Sequence, residues 1–181
     1  MEAKSYDVIV IGSGPSGLIS SLLISKKKKV LLVEKGGHDF VLGKRILVSG
    51  NGRANFFNED LLHEEEYKDS LLSPVHDIVF SEMNNYAMEF LSYLKDELSF
   101  PYEKEGKLYY PYFNRSESLQ NTLVQQLKRS KNRTVLSACL KEIDEKNHTV
   151  VLLKNGKREE YHYKDLVLAL GGRSLDREDY D

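Results

Sequence analysis

Gly12, Gly14 and Gly17 stand in the run Gly12-Ser13-Gly14-Pro15-Ser16-Gly17 with the spacing G-x-G-x-x-G, and Glu34 follows twenty positions after Gly14. Residues of these types, so spaced, suit the grip of a diphosphate attached to a ribose, provided a strand precedes them and a helix follows. Gly12 permits a tight turn out of the strand. Gly14 lets a pyrophosphate approach the backbone, and Gly17 lets the helix pack close to the sheet. The start of that helix offers unpaired N–H groups and a partial positive charge to the phosphates. Glu34 is placed to accept hydrogen bonds from the ribose hydroxyls of an adenosine. A carboxylate there repels a 2′-phosphate, so NADP is disfavoured at this site.

The elements that must hold these residues are legible. Tyr6-Asp7-Val8-Ile9-Val10-Ile11 is a short β-branched run ending at glycine, which reads as a buried parallel strand. Pro15 to Ile24 reads as a helix, with Leu18, Leu22 and Leu23 at three-to-four spacing and Pro15 where a first turn tolerates it. Lys26 to Lys29 read as the solvated end of that helix. Val30 to Val33 form a second buried strand with Glu34 at its carboxyl end. Strand, helix and strand within about thirty residues make one βαβ unit.

Gly36 to Asn58 holds five glycines and reads as a long ordered loop with one short helix; so long a loop usually serves function. Glu59 to Glu66 is acidic and expected to be exposed. Val79, Met83, Tyr86, Phe90 and Leu94 predict a helix over 76–98 with that stripe in the core. Two short strands flank a turn at Gly106, and Ser116 to Ser130 reads as a helix with Leu119, Leu123 and Leu127 on one face. Thr134 to Ile143, His148 to Leu153 and Glu160 to Lys164 suggest a small antiparallel meander. Leu166 to Leu170 reads as a third buried strand ending at Gly171-Gly172. The fold class is therefore α/β: a Rossmann-like dinucleotide-binding domain with a parallel sheet flanked by helices and a small antiparallel meander.

The βαβ unit alone does not decide between FAD and NAD. Its place at the N-terminus, with a second glycine-rich stretch close behind, leans toward FAD, whose large ring system extends beyond the pyrophosphate.

Here the chain resembles the BaiN-like (aminoacetone oxidase-like) FAD-dependent oxidoreductases, of the glutathione-reductase type. The most specific match is the run Lys44-Arg45-Ile46-Leu47-Val48-Ser49-Gly50-Asn51-Gly52-Arg53-Ala54-Asn55, against a family run of Lys-Leu-Leu-Ile-Ser-Gly-Gly-Gly-Arg-Cys-Asn, with Arg45 at the lysine position. Gly106 to Pro111 is similar to a second family stretch, and Asp165 to Gly172 to its Ala-Thr-Gly-Gly strand end. The resemblance covers residues 6 to about 174.

The resemblance implies FAD as cofactor and two-electron hydride transfer to or from a small organic substrate, with NAD(P)H as a candidate electron donor. It implies that cofactor-binding residues are Gly12, Ser13, Gly14, Pro15, Ser16, Gly17, Glu34 and Lys35 at the adenosine and pyrophosphate end. Ser49, Gly50, Asn51, Gly52, Arg53 and Asn55 would lie toward the flavin, and Arg53 either faces phosphate or holds the loop. The backbone around Leu140 would meet the adenine, and Ala169, Leu170 and Gly171 would close over the cofactor. Ala54 replaces the family's cysteine and removes any thiol chemistry there; Leu170 replaces a threonine, and Asn51 a glycine. The expected organisation is one N-terminal FAD-binding domain over 1–181. The substrate-facing insert and the C-terminal segment that closes the flavin site would be absent, leaving apolar sheet surface uncovered.

The remaining features bound the alternatives. The 181 residues are 40% hydrophobic and 30% charged, as in a soluble globular protein, and the net charge of −2 provides no field for nucleic acid or an anionic membrane. The single cysteine, Cys139, excludes an internal disulfide and reads as a small buried apolar group. No run approaches the roughly 18 apolar residues of a membrane span, and no targeting segment stands out, so the expected location is the cytoplasm. His38, His63, His76, His148 and His162 show no metal-ligand spacing, and no residue stands out as an acid or base. Two rival readings are a catalytically inactive nucleotide-binding fragment and an NAD-binding dehydrogenase domain; the 44–55 run speaks against the second.

Overall fold

The apolar runs at 8–11 and 30–33 have no polar alternation, so both faces of each must be covered, the usual state of parallel strands inside a sheet. A computed structural model describes residues 4–36, 40–63 and 75–171, with 75 and 76 as backbone only, and shows this arrangement. In chain order its elements are β1 (Ser5–Ile11), α1 (Pro15–Ile24), β2 (Val30–Glu34), α2 (Lys44–Val48), β3 (Phe57–Asn58) and α3 (Val75–Ser92). There follow β4 (Tyr102–Glu105), β5 (Leu108–Pro111), α4 (Ser116–Arg129), β6 (Arg133–Ser137), β7 (Cys139–Asp144), β8 (Thr149–Lys154) and β9 (Lys157–Leu168). The chain forms two compact units: Met1–Ile46 with Leu123–Asp181, and Leu47–Thr122.

The first unit is built on one six-stranded sheet of order β6-β2-β1-β9-β8-β7. β1 runs parallel to β2 and to β9, and β2 parallel to β6. Val8 to Ile11 and Val30 to Val33 are buried, and the core continues through Leu136, Val150, Leu152 and Tyr161. Helix α1 buries Gly17, Leu18, Ser21 and Leu22. Its leucines supply the apolar stripe, and small residues at 17 and 21 allow a close approach. Lys26 to Lys29 follow the helix and are exposed. Lys28 pairs with Asp165 at 3.2 Å, and Lys29 donates to the Ser5 carbonyl at 2.8 Å.

Four expectations change here. The stretch 134–143 is two strands. Its first part joins β2 in parallel as β6, and the chain then turns at Ala138, whose N–H donates to the Glu34 carbonyl at 3.0 Å. Only β7 is antiparallel, to β8. The meander and the third parallel strand are also continuous: β9 is antiparallel to β8 up to His162 and parallel to β1 from His162 onward. Asp165, between the two expected strands, sits on an exposed face where its charge is paired. Finally, the end of β9 is not buried, for Leu168 is 52% exposed and Leu170 is exposed as well. Cys139 is half-buried rather than buried.

The second unit carries a three-stranded antiparallel sheet of order β3-β5-β4. Phe56, Phe57, Tyr102 and Tyr109 meet there edge to face or tilted, with ring centroids 5.2 to 6.5 Å apart, favourable arrangements for aromatic quadrupoles. Helix α3 ends in a π-turn over Tyr93–Glu97. The expected core stripe on it is only partly buried. Leu94 is fully buried, whereas Met83 is 37% and Tyr86 60% exposed. Burial concentrates at Leu91, Tyr93 and Leu94, where the π-turn shifts the helical phase. The loop expected over 36–58 contains α2, a 3₁₀ turn at Ser49–Gly52 and β3. Glu59 and Asp60, expected to be exposed, are half-buried in a second 3₁₀ turn over Glu59–Leu62. The Asn58 side chain caps that turn by accepting from the Asp60 N–H at 3.1 Å. Residues 64–66, His38, Gly172 and the tail from 173, together with the His76 side chain, lie outside the described residues.

Candidate functional site

The glycine run sits where β1 ends. Gly12 N–H donates to the Val33 carbonyl at 2.7 Å and Ala169 N–H to the Ile11 carbonyl at 2.8 Å, so neighbouring strands pin the turn from both sides. Gly12 has φ +98°, and a Cβ on it would collide with the Ala169 carbonyl. A Cβ on Gly17 would collide with the Gly12 carbonyl and press on the Ala169 side chain. Both glycines are therefore demanded by the packing of α1 and the end of β9 against the turn.

Gly14 differs. It precedes the first turn of α1 with φ −60°, and a Cβ built on it meets nothing within 4 Å. Neither backbone strain nor crowding within the chain asks for glycine there. Beside it, α1 begins without a side-chain cap and without an acidic residue in its first turn. Its N-terminal amides and partial positive charge are not neutralised by a side chain of the first turn. Pro15 and Ser16 are exposed at this end.

Glu34 lies at the carboxyl end of β2, in register with Ser137 of β6. Its Oε2 accepts from the Ser13 N–H at 2.6 Å and from the Ser13 hydroxyl at 2.5 Å. Gly43 N–H in turn donates to the Ser13 carbonyl at 2.9 Å. Gly36 packs under Ser137 and the Phe40 ring so closely that a Cβ would meet both. Lys35 is exposed, and Leu140 on β7 turns its side chain to the core of the first unit. Gly171 has φ +78°. The first unit thus brings together Gly12, Ser13, Gly17, Glu34 and Ala169 at the carboxyl ends of β1, β2 and β9, the edge where open α/β sheets bind ligands.

In the second unit, Gly50, Asn51, Gly52 and Ala54 all have left-handed backbone, with φ of 53°, 54°, 83° and 55°. Arg53 N–H donates to the Gly50 carbonyl at 3.1 Å and Ala54 N–H to the Ser49 carbonyl at 3.0 Å. Of the two roles expected for Arg53, the structure shows the bracing one. Nε donates to Asn114 Oδ1 at 2.8 Å, an Nη donates to Glu105, and the guanidinium lies 4.0 Å from the Tyr110 ring centroid. Asn114 also donates to Glu103 at 2.8 Å. The Arg53 guanidinium holds the Glu105 carboxyl below the usual carboxylate range. Nearby, Glu59 accepts from the Tyr109 hydroxyl at 2.8 Å and pairs with Lys104 at 2.6 Å. That carboxylate, which the neutral phenol stabilises, pushes the Tyr109 hydroxyl up to about 12. Ser49 and Gly52 are half-buried, and Asn51 and Asn55 exposed.

Spacing alone did not reveal the parts played by Gly43, Phe40, Ser137, Glu105 and Asn114. Each meets its partner through the fold, and only Gly36, two positions after Glu34, hinted at a close approach. Among the described residues, no group of three or more His, Cys, Asp or Glu could hold a metal ion, and no helix is long and apolar enough to cross a membrane.

This glycine turn, between a parallel strand and a helix and faced by a carboxylate at the next strand's end, defines a Rossmann-like domain. Residues 6–178 match the family described as HI0933-like protein Rossmann domain, and the chain belongs to that family. Among solved structures it is similar to 3-ketosteroid Δ1-dehydrogenase from Sterolibacterium denitrificans, with TM-score 0.73 and 14% identity over 94% of this chain and 48% of that one. Escherichia coli quinol fumarate reductase FrdA gives TM-score 0.66 and 14% identity over 95% and 33%. THI4 of Thermovibrio ammonificans gives 0.57 and 16% over 97% and 63%. The chain thus spans between a third and two-thirds of these structures. At such identities the likeness is one of fold. No curated protein matches the chain.

Proposed function

We propose that this chain is the FAD-binding part of a flavin-dependent oxidoreductase of the BaiN-like, aminoacetone oxidase-like kind. The observation that carries the reading is Gly14: the packing that demands Gly12 and Gly17 leaves open space over Gly14, beside the uncapped start of α1. A diphosphate is the group that needs bare backbone and helix N–H groups there. Gly12 to Gly17 would hold it, and Glu34 would take the ribose of the adenosine. The backbone of Leu140 is assigned to the adenine, and Ala169 to Gly171 to the cofactor's nearer face. Ser49, Gly50, Asn51, Gly52, Arg53 and Asn55 are assigned by the resemblance to the flavin end. When bound, the flavin supplies two-electron hydride transfer; the chain's own residues bind and orient it. The matched dehydrogenase and fumarate reductase are redox enzymes by name, which agrees with this reading. A small organic molecule is the proposed substrate, with NAD(P)H as a candidate donor.

The test is thermal unfolding with added FAD or NAD. Saturation at about 100 times Kd adds roughly 2.7 kcal/mol of stability, and FAD but not NAD should do so. Gly14→Val should leave the fold intact, by circular dichroism and melting in the absence of ligand, and abolish the FAD-dependent gain. A gain unchanged in that variant, or one produced by NAD alone, would remove this reading.

A further inference from the structure

Ser13 is 1% exposed, yet its three polar groups are all engaged within the first unit. Its carbonyl takes the Gly43 N–H. Its own N–H and hydroxyl both donate to a single atom, Oε2 of Glu34. Among the described residues no hydrogen bond or ion pair reaches the other carboxylate oxygen, Oε1. A glutamate at a strand end ordinarily keeps its rotamers until a ligand orders it, and the ligand's affinity bears that entropy. Two donors converging on one oxygen of a carboxylate are charge-assisted and directional. They fix the side chain beforehand and leave one oxygen for a further donor.

We infer that Ser13 is a positioning residue for sugar recognition: it holds Glu34 by Oε2 so that Oε1 accepts from a ribose hydroxyl of the bound dinucleotide. The inference rests on the dinucleotide reading above and deepens it. Position 13 then does more than carry a loop between two glycines. Its donors set the preference for a free ribose, while Gly12 to Gly17 set the affinity for phosphate.

The test uses calorimetric titration of the full chain with ADP and with 2′,3′-dideoxy-ADP. The wild type should prefer ADP by about tenfold or more, as a hydrogen bond to a charged group allows. Ser13→Ala should weaken ADP by about tenfold and leave 2′,3′-dideoxy-ADP nearly unchanged, so that the preference collapses. Ser13→Cys fills the site with a slightly larger group that is a much weaker donor and should show the same narrowing, which covers the case in which the alanine variant folds poorly. Equal weakening of both nucleotides would overturn the inference, because Ser13 would then only shape the turn. Tighter ADP binding in Ser13→Ala would also overturn it, since the serine would be competing with the sugar. If wild type binds ADP but shows no sugar preference, this inference fails and the cofactor reading stands. If it binds neither nucleotide nor FAD, both fall.

Discussion

Around Gly12 and Gly17 a methyl group has nowhere to go, because the Gly12 and Ala169 carbonyls occupy its place. Around Gly52 there is room: a Cβ there would meet only the Leu47 carbonyl at 3.9 Å, and the constraint is the left-handed backbone that runs through Gly50 to Gly52 and recurs at Ala54. The first turn is held by backbone packed on backbone. The second is held by its own short-range bonds and by Arg53, which reaches to Asn114, Glu105 and Tyr110. The lesson is that glycine richness has two physical meanings. Gly12 and Gly17 resist changes in volume, whereas Gly52 and Ala54 depend on dihedral tolerance, in a loop braced by charge.

Substitutions can break this contrast, beginning with the largest effect. Gly12→Ala combines overpacking with a left-handed alanine and should cost about 3 kcal/mol in guanidinium unfolding. A cost below about 1 kcal/mol would mean that the turn is softer than its packing implies. Arg53→Ala should lower the melting temperature by a few degrees, the scale of losing one stacked and hydrogen-bonded arginine. Arg53→Lys should recover only part of this, since an ammonium cannot reproduce the guanidinium fork.

The charge dependence of the second region predicts an alkaline effect. Tyr109 is held neutral in the fold up to about 12, chiefly because its hydroxyl donates to Glu59, against 10 when unfolded. Between those values the native state keeps a proton that the unfolded state has lost. The stabilisation is therefore complete below pH 10 and fades as pH rises toward 12. Tyr109→Phe should flatten the fall in unfolding midpoint across that window, leaving the portion due to Tyr93, which burial and the Glu97 charge also raise to about 12, and to Tyr161, Lys4 and Lys164, which are raised as well. An unchanged slope would place the charge dependence elsewhere. The smallest effect is expected at Ala54→Gly. Relief of a left-handed alanine, about 1 kcal/mol, opposes the loss of a buried methyl worth about 0.8 kcal/mol, so denaturant unfolding should shift by no more than about 0.5 kcal/mol. A large gain or loss would show that one term is absent.

The opening unit of β1, α1 and β2 was legible because every cue there is local: an apolar run, glycine, Pro15 and a second apolar run. The division of 134–143 was not legible, since alternation looks the same whether the partner is parallel β2 or antiparallel β8. Nor was the continuity of β9, where the polar Asp165 separates the two expected strands and Lys28 pairs its charge. The α3 stripe announced a helix but not what covers it. At the site, the glycines and Glu34 were readable from spacing. The Ser13–Glu34 bond was not, because the twist and register that align the ends of β1 and β2 leave no mark in either segment. The Arg53–Asn114 bond spans 61 positions and had no local signal at all.

The pairing of Ser5 with His162 has a consequence for biosynthesis. The β1 edge that β9 covers is made well before its mate, which follows 157 positions later. At roughly 5–20 residues per second that is a delay on the order of ten seconds. Throughout it the nascent chain carries an apolar strand with one unsatisfied border, open to the wrong neighbour, and completion of this layer must wait until β9 has been made.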